Sequence, residues 1–279
     1  MGHTDRVERF RALHEERPLV LPNAWDAASA RVLELAGASA VGTTSAGVSW
    51  TEGRRDGERM DRDAMIRCVR RIVDAVDVPV TADVESGYGT GSPPDVAETA
   101  RTAIDAGAVG INLEDSPGRR GEPLLRPEEH AERIRAAREA ALAAGADLVI
   151  NARTDVYLGG VGEPESRLER TVGRAEAYRQ AGADCIFVPG VVDAGTIEAL
   201  VRAIDAPVNV MAGPDTPSVA ELGRLGVARV SVGPGLALAA LGAVRRAARA
   251  LLEDGSFHAL GEGLAFGDVE AMFRDTDAA

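Results

Sequence analysis

The chain contains no lysine; its 31 basic residues are all arginine. A Schiff base between a lysine amine and a carbonyl substrate is therefore excluded, and carbonyl chemistry here needs another electrophile. Cysteine is nearly missing too. Cys68 falls in a helical stretch and Cys185 at the start of a strand-like run, which argues against a disulfide framework and suits a reducing compartment. Of the four histidines, His3 and His14 are N-terminal, His130 lies on a helix and His258 in the tail. None is placed for zinc binding or histidine acid–base work. No run approaches the roughly 20 apolar residues of a membrane span, and the opening MGHTDRVERF lacks a signal peptide's apolar core. The expectation is a cytoplasmic protein with no membrane partner. A net charge of −13 also argues against nucleic acid, which needs a basic patch, although arginines focused in one cleft would still hold a small anion.

What is present is ordinary globular material, 45% hydrophobic and 27% charged, enough for a sizeable core. A length of 279 residues suits one large barrel or two small domains, so pattern must decide. Short apolar runs alternate with longer helical stretches, the signature of parallel βαβ units. The expected strands are 19–24, 40–46, 79–86, 110–115, 147–155, 185–190, 207–212 and 229–233. Ala36-Gly37-Ala38, Ala106-Gly107-Ala108, Ala144-Gly145-Ala146 and Ala181-Gly182-Ala183 each precede a strand, with Leu225-Gly226-Val227 as a variant. Glycine there ends a helix in the left-handed conformation. A doubly wound open sheet would show a Gly-rich phosphate turn after the first strand, and Pro22-Asn23-Ala24-Trp25-Asp26 is no such turn. The expected fold is an α/β (β/α)8 TIM barrel, one domain over residues 1–279. An N-terminal helix lies within 1–18, the barrel spans about 18–253 and a C-terminal helical extension covers 254–279. That extension carries Phe257, Phe266, Met272 and Phe273; exposed, they would dock on a neighbouring copy, which makes a homo-oligomer, dimer or tetramer, the expected state.

Barrel active sites lie at the C-terminal ends of the strands. The third expected strand ends Asp83-Val84-Glu85-Ser86, and strand alternation puts Asp83 and Glu85 on one side; the fourth places Asn112 and Glu114 together in the same way. Most acids merely solvate loops, but these share a strand-end position and a parity. Three convergent carboxylates repel one another unless a cation is bound. Magnesium, with manganese as the alternative, suits an all-oxygen site that keeps several waters. On the fifth strand Asn151, Arg153 and Asp155 share a parity, and the Arg153 fork suits a carboxylate or phosphonate as well as a structural ion pair. The second strand ends Thr43-Thr44-Ser45-Ala46-Gly47, whose hydroxyls and amides suit a carboxylate and a neighbouring oxo group. Ser231-Val232-Gly233-Pro234-Gly235 resembles a phosphate turn but reads as structural punctuation.

Asn23-Ala24-Trp25-Asp26, Thr44-Ser45-Ala46-Gly47, the run from Asp83 to Gly89, Gly110 to Asp115 and Asn151 to Asp155 occur in order at successive strand ends. Across about residues 18–250 the chain resembles the isocitrate lyase/phosphoenolpyruvate mutase superfamily. The resemblance implies that Asp83 is the main direct magnesium ligand, with Glu85 and Glu114 acting largely through waters and Asp56 contributing nearby. It also implies a substrate pocket of Ser45, Ala46, Gly47, Asn112, Arg153 and Asn209, and a tetramer with swapped last helices. The Lys-Lys/Arg-Cys-Gly-His loop of the isocitrate and methylisocitrate lyases is replaced by Ser116-Pro117-Gly118-Arg119-Arg120-Gly121-Glu122-Pro123. Those two activities are therefore not expected. The mutase has lysine and asparagine in that loop, which weakens phosphonate chemistry here. If the loop closes, Glu122 takes the place of the cysteine as general acid or base.

The expected activity is a magnesium-dependent lyase. It would cleave a C–C bond of a 2-oxo acid, or of a 2-hydroxy acid precursor, by retro-aldol reaction or decarboxylation through a metal-held enolpyruvate-type intermediate. Phosphonopyruvate hydrolase or mutase chemistry is the alternative, ketopantoate hydroxymethyl transfer a more distant one. A barrel that only binds or senses an oxo acid is the alternative of another class.

Overall fold

The structure, a computed structural model, describes residues 2–15, 18–117 and 124–273. Gly37, Gly107, Gly145, Gly182 and Gly226 all take φ between 66° and 106°, so each turns the chain out of a helix where a Cβ would be strained. The next strand begins a few residues later each time. The strands are β1 (Leu19–Leu21), β2 (Asn23–Ala24), β3 (Val41–Thr43), β4 (Val80–Asp83), β5 (Gly110–Glu114), β6 (Val149–Arg153), β7 (Cys185–Val188), β8 (Val208–Met211) and β9 (Arg229–Ser231). All pair in parallel in the order β1-β9-β8-β7-β6-β5-β4-β3-β2. Only Pro22 separates β1, which pairs with β9, from β2, which pairs with β3. Proline has no amide to donate, so one stave is read as two segments. The nine segments thus make eight staves of a nearly closed TIM-type barrel.

Asn23 fastens the seam. Its Oδ1 accepts from the amides of Val232 and Gly233 at 2.9 and 3.0 Å, and its Nδ2 donates to the Thr43 carbonyl at 2.8 Å. The turn that resembled a phosphate loop therefore has both amides committed to closing the barrel.

Helices α1 (His3–Leu13), α2 (Ala27–Leu35), α3 (Ser45–Thr51), α4 (Arg62–Ala75), α5 (Pro93–Asp105), α6 (Pro127–Ala143), α7 (Arg167–Gln180), α8 (Ala194–Ala203), α9 (Val219–Arg224), α10 (Gly235–Asp254) and α11 (Phe266–Met272) complete the described regular structure. Asp26, Asp61, Ser92, Asp193 and Ser218 cap five of them by accepting an amide of the first turn. Ile111, Leu113, Ile150, Val188 and Val210 are fully buried in the main core, with Met65, Val69 and Ile72 of α4. A second cluster plugs the N-terminal end of the barrel: Val7, Phe10 and Leu13 of α1 lie with Leu19, Leu21, Val109 and Val149. Burying Phe10 alone contributes about 1.5–3 kcal/mol. With that end closed, the opposite end is left for chemistry.

Two expected strands stop early. The ladder of β3 ends at Thr43 because α3 starts at Ser45, and that of β4 ends at Asp83 because the chain turns outward at Glu85, where φ is 51°. In the C-terminal extension, α11 is tied to α2 by Arg31 Nε, which donates to the Met272 carbonyl at 2.7 Å. Among the described residues no helix is long and apolar enough to cross a membrane.

Candidate active site

Asp83 ends β4 and Glu114 ends β5, both buried at the mouth. Asp83 is fixed from both sides: its amide donates to the Thr43 hydroxyl at 2.8 Å, and its Oδ2 accepts the Ser45 amide at 3.0 Å. Glu85 lies beyond the strand in the left-handed region, so strand alternation does not place it. The turn carries it back into the same field of charge. Burial pushes its carboxyl up to about 8, and Asp56 and Asp83 push in the same direction. Asp56, from the loop between α3 and α4, is raised by burial and by Asp83, while the Ser45 hydroxyl and Gly57 amide bonded to it oppose the shift. Burial holds Glu114 well above the carboxylate range; Arg153 opposes, and Asp155, Asp83 and Glu85 add to the rise.

Asp56, Glu85 and Glu114, each raised by burial and by acidic neighbours, favour either protons or a cation. They do not form a ready-made cage. Among the described residues no three acidic, histidine or cysteine side chains are grouped closely enough to hold an ion by themselves. The reason is local: Glu85 Oε1 accepts the Tyr88 hydroxyl at 3.0 Å, its Oε2 accepts the Glu58 amide at 2.5 Å, and Glu114 Oε2 meets Arg153 at 2.5 Å. The three-carboxylate cage that the strand parity suggested is replaced by a looser, all-oxygen rim. Such a rim fits magnesium, which takes one or two carboxylates directly and retains waters. Asp83, Glu85 and Glu114 are the residues that would hold it, with Asp56 close by.

Arg153 projects from β6 between acids. Besides Glu114, it meets Asp155 with two bonds, Nε to Oδ1 at 2.6 Å and Nη2 to Oδ2 at 2.8 Å. Burial works against its charge, but Glu114 and Asp155 outweigh that and hold it cationic. Three of its five N–H donors are engaged in these contacts. Phe187 of β7 flanks it, the guanidinium carbon 5.9 Å from the ring centroid.

Ser45, Ala46 and Gly47 form the first turn of α3, whose amides lack intrahelical acceptors. The Ser45 amide is already bonded to Asp83, which leaves those of Ala46 and Gly47 as the donors for a substrate. Gly47 is also required by packing, since a Cβ there would come within 2.7 Å of Trp25 Cβ.

Asn112 and Asn209 are buried in a polar layer inside the barrel. Asn151 Nδ2 donates to Asn112 Oδ1 at 2.8 Å and to Asn209 Oδ1 at 3.0 Å, and Asn209 Nδ2 donates to the Val210 carbonyl at 2.7 Å. Asn209 is thus tied into the barrel wall through both ends of its amide, whereas Asn112 is held among the described residues through its Oδ1 alone. Glu122 lies outside the described residues. Sequence reasoning missed Glu58, Tyr88, Phe187 and Arg229. Arg229 held the one available signal, an arginine within a short apolar strand.

With this geometry in place, relatedness is informative. The phosphoenolpyruvate phosphomutase family matches residues 10–252. The crystal structure of a candidate lyase/mutase from Burkholderia cenocepacia J2315 is 44% identical, covers 96% of each chain and superposes with a TM-score of 0.89. The 2-methylisocitrate lyase of Escherichia coli K12 is 31% identical over 204 residues, 71% of this chain and 66% of that protein. A phosphonopyruvate hydrolase solved with oxalate and Mg2+ shares the fold, with a TM-score of 0.83 at 24% identity over 96% of this chain and 94% of that one. Members of the superfamily are magnesium-dependent lyases and mutases. The chain belongs to the phosphoenolpyruvate mutase family, within the isocitrate lyase/phosphoenolpyruvate mutase superfamily.

Proposed function

We propose that the protein is a magnesium-dependent lyase that cleaves the bond at C3 of a 2-oxo acid, or of a 2-hydroxy acid precursor, through an enolate. The observation that carries this reading is the rim formed by the buried Asp83, Glu85 and Glu114, with Asp56 beside them on the adjoining loop and the cationic Arg153 set among them. Magnesium, when bound there, supplies Lewis-acid polarisation of the oxo group.

The chain's own groups do the rest. Among the described residues Arg153 has two uncommitted N–H donors for a substrate carboxylate, and the Ala46 and Gly47 amides stand beside the Ser45 amide that reaches Asp83. Phe187 covers one flank of the guanidinium and keeps water from it. When the C3–C4 bond of a 2-oxo acid breaks, its electron pair stays on C3 as an enolate to be protonated at carbon, and C4 leaves as CO2 or, where it bears a hydroxyl, as a carbonyl after that hydroxyl gives up its proton. Asp56, raised by burial and by Asp83, is the described group at the mouth suited to hold that proton.

The test is turnover of a panel of oxaloacetate, malate-type acids and phosphonopyruvate with and without Mg2+, with pyruvate followed by a coupled assay. Magnesium-dependent pyruvate from a carboxylic substrate supports the lyase. Asp83→Ala should keep its far-UV circular dichroism yet lose more than about 100-fold in turnover, since even outer partners of a metal contribute 10–100-fold. Magnesium-independent turnover would overturn the mechanism. Turnover of phosphonopyruvate alone would move the chemistry to C–P cleavage, and binding of an oxo acid without product would favour a sensing barrel.

A further inference from the structure

Among the described residues three other than glycine have positive φ: Glu58 at 54°, Glu85 at 51° and Tyr88 at 60°. They belong to two segments far apart in sequence, yet they bond to one another in a closed ring. The Tyr88 amide donates to Glu58 Oε1 at 2.8 Å, the Tyr88 hydroxyl donates to Glu85 Oε1 at 3.0 Å, and the Glu58 amide donates to Glu85 Oε2 at 2.5 Å. The Ser86 hydroxyl adds a second donor to Glu58 Oε1 at 2.7 Å. Left-handed backbone costs each such residue on the order of 1 kcal/mol and persists only where neighbours over-determine it. Here the ring supplies that constraint. It is sheltered as well: Tyr88 is 2% exposed, and Arg133 of α6 brings its charge to Glu58 while donating to the Ser86 carbonyl at 3.4 Å.

We propose that Glu58 is a positioning residue whose carboxylate latches the 52–60 loop to the Ser86–Tyr88 turn and so holds Asp56 and Glu85 in the acidic rim. Glu58 stands two residues after Asp56, on a loop otherwise exposed from Thr51 to Asp56. Without the latch, that loop has Met60 as its next buried anchor. The ring also fixes both Glu85 oxygens, so the carboxylate faces Asp56 and Asp83 in one orientation. This inference rests on the reading of the rim as a magnesium site only for its consequence; the latch itself is a statement about the loop.

Two substitutions separate the parts. Glu58→Gly keeps the amide and tolerates φ of 54° but removes the carboxylate, whereas Glu58→Gln keeps an oxygen able to accept from Ser86 and Tyr88. Amide hydrogen exchange is measured without substrate, and Mg2+ affinity by calorimetry. In Glu58→Gly, exchange at Tyr88 and across 52–60 should accelerate about tenfold, and Mg2+ affinity should fall about tenfold, as expected for two lost hydrogen bonds. Amides of β5 and β6 should be unchanged. Glu58→Gln should restore both quantities. Ser86→Ala, which leaves the backbone untouched, should show a smaller change in the same direction and serves if the glycine variant fails to fold. Wild-type exchange in Glu58→Gly, or a glutamine variant as impaired as the glycine one, overturns the latch. If the wild-type protein binds no Mg2+, the metal reading fails while the exchange data still decide the latch.

Discussion

Arg229 carries a full positive charge inside the barrel with no carboxylate at ion-pair distance among the described residues. It is wholly buried, its Nη2 donates weakly to Asn112 Oδ1 at 3.2 Å, and its guanidinium lies 5.8 Å from the Phe10 ring. Nε and Nη1 have no partner among the described residues. Burial pushes the guanidinium down to about 10, with Cys185 and Asp83 opposing; from an ordinary 12.5 that is a penalty of about 3 kcal/mol on the charged form. The acid of the rim that its charge reaches is Asp83. Arg229→Met should therefore raise stability by about 1–3 kcal/mol, seen as a higher urea midpoint, while turnover falls. Lower stability with unchanged turnover would assign the arginine to the fold alone. Asp83, Glu114 and Arg153 were legible in the sequence because polar residues at the ends of apolar strands stand out. Parity gives the side of a strand but not the depth along the barrel, so it did not show that Asn112 Oδ1 and Asn209 Oδ1 would share the Asn151 amide. Glu58 left no trace, since nothing in Gly57-Glu58-Arg59 announces a left-handed glutamate.

His130 shows what an element can hide. On α6 it is fully buried, edge-on to Tyr178 of α7 with centroids 4.7 Å apart, and neither ring nitrogen has a hydrogen-bond partner among the described residues. Burial, then the charge of Arg133, pushes it down to about 3. The folded ring thus binds a proton more weakly than the unfolded one. Stability is unaffected above the unfolded value of about 6.5, falls as pH drops below it, and stops falling near 3. Between pH 7 and pH 5 the loss should be on the order of 2 kcal/mol. In His130→Phe, which keeps a ring and cannot titrate, urea midpoints at the two pH values should lie closer together than in the wild type; an equal gap would remove the histidine from the acid response. The order of elements was readable because α2, α5, α6, α7 and α9 each lead into a strand through a glycine in the left-handed region, as the φ values of Gly37 and Gly182 show. The ends were not. Thr44-Ser45-Ala46-Gly47 looks like the tail of a strand, yet the exposed amides of a helix start there, and it is those amides that face Asp83.

At the scale of the whole molecule, α10 poses the remaining physical problem. Its first turn is packed, with Ala237 buried close to Gly47, but the same face continues through Leu241, Val244 and Leu251, which are 54%, 65% and 39% exposed. Phe257 and Phe266 beyond it are 69% and 81% exposed. A contiguous apolar face of this kind is uncommon on a monomer. We propose that a second copy of the chain covers it. The stripe runs on from the face that Ala237 already seats on the barrel mouth, so the copy that docks there would lie against the element carrying Ser45 and Gly47. Light scattering on the wild type should return a dimer or tetramer mass. Leu241→Glu places a charge in the middle of the stripe, where its burial would cost several kcal/mol, and should shift the protein to monomer with its far-UV circular dichroism intact. Because Ala237 packs close to Gly47, that monomer should also lose turnover. A wild-type protein of monomer mass at all accessible concentrations would overturn the assembly, and a fully active Leu241→Glu monomer would show that the mouth is complete in one chain.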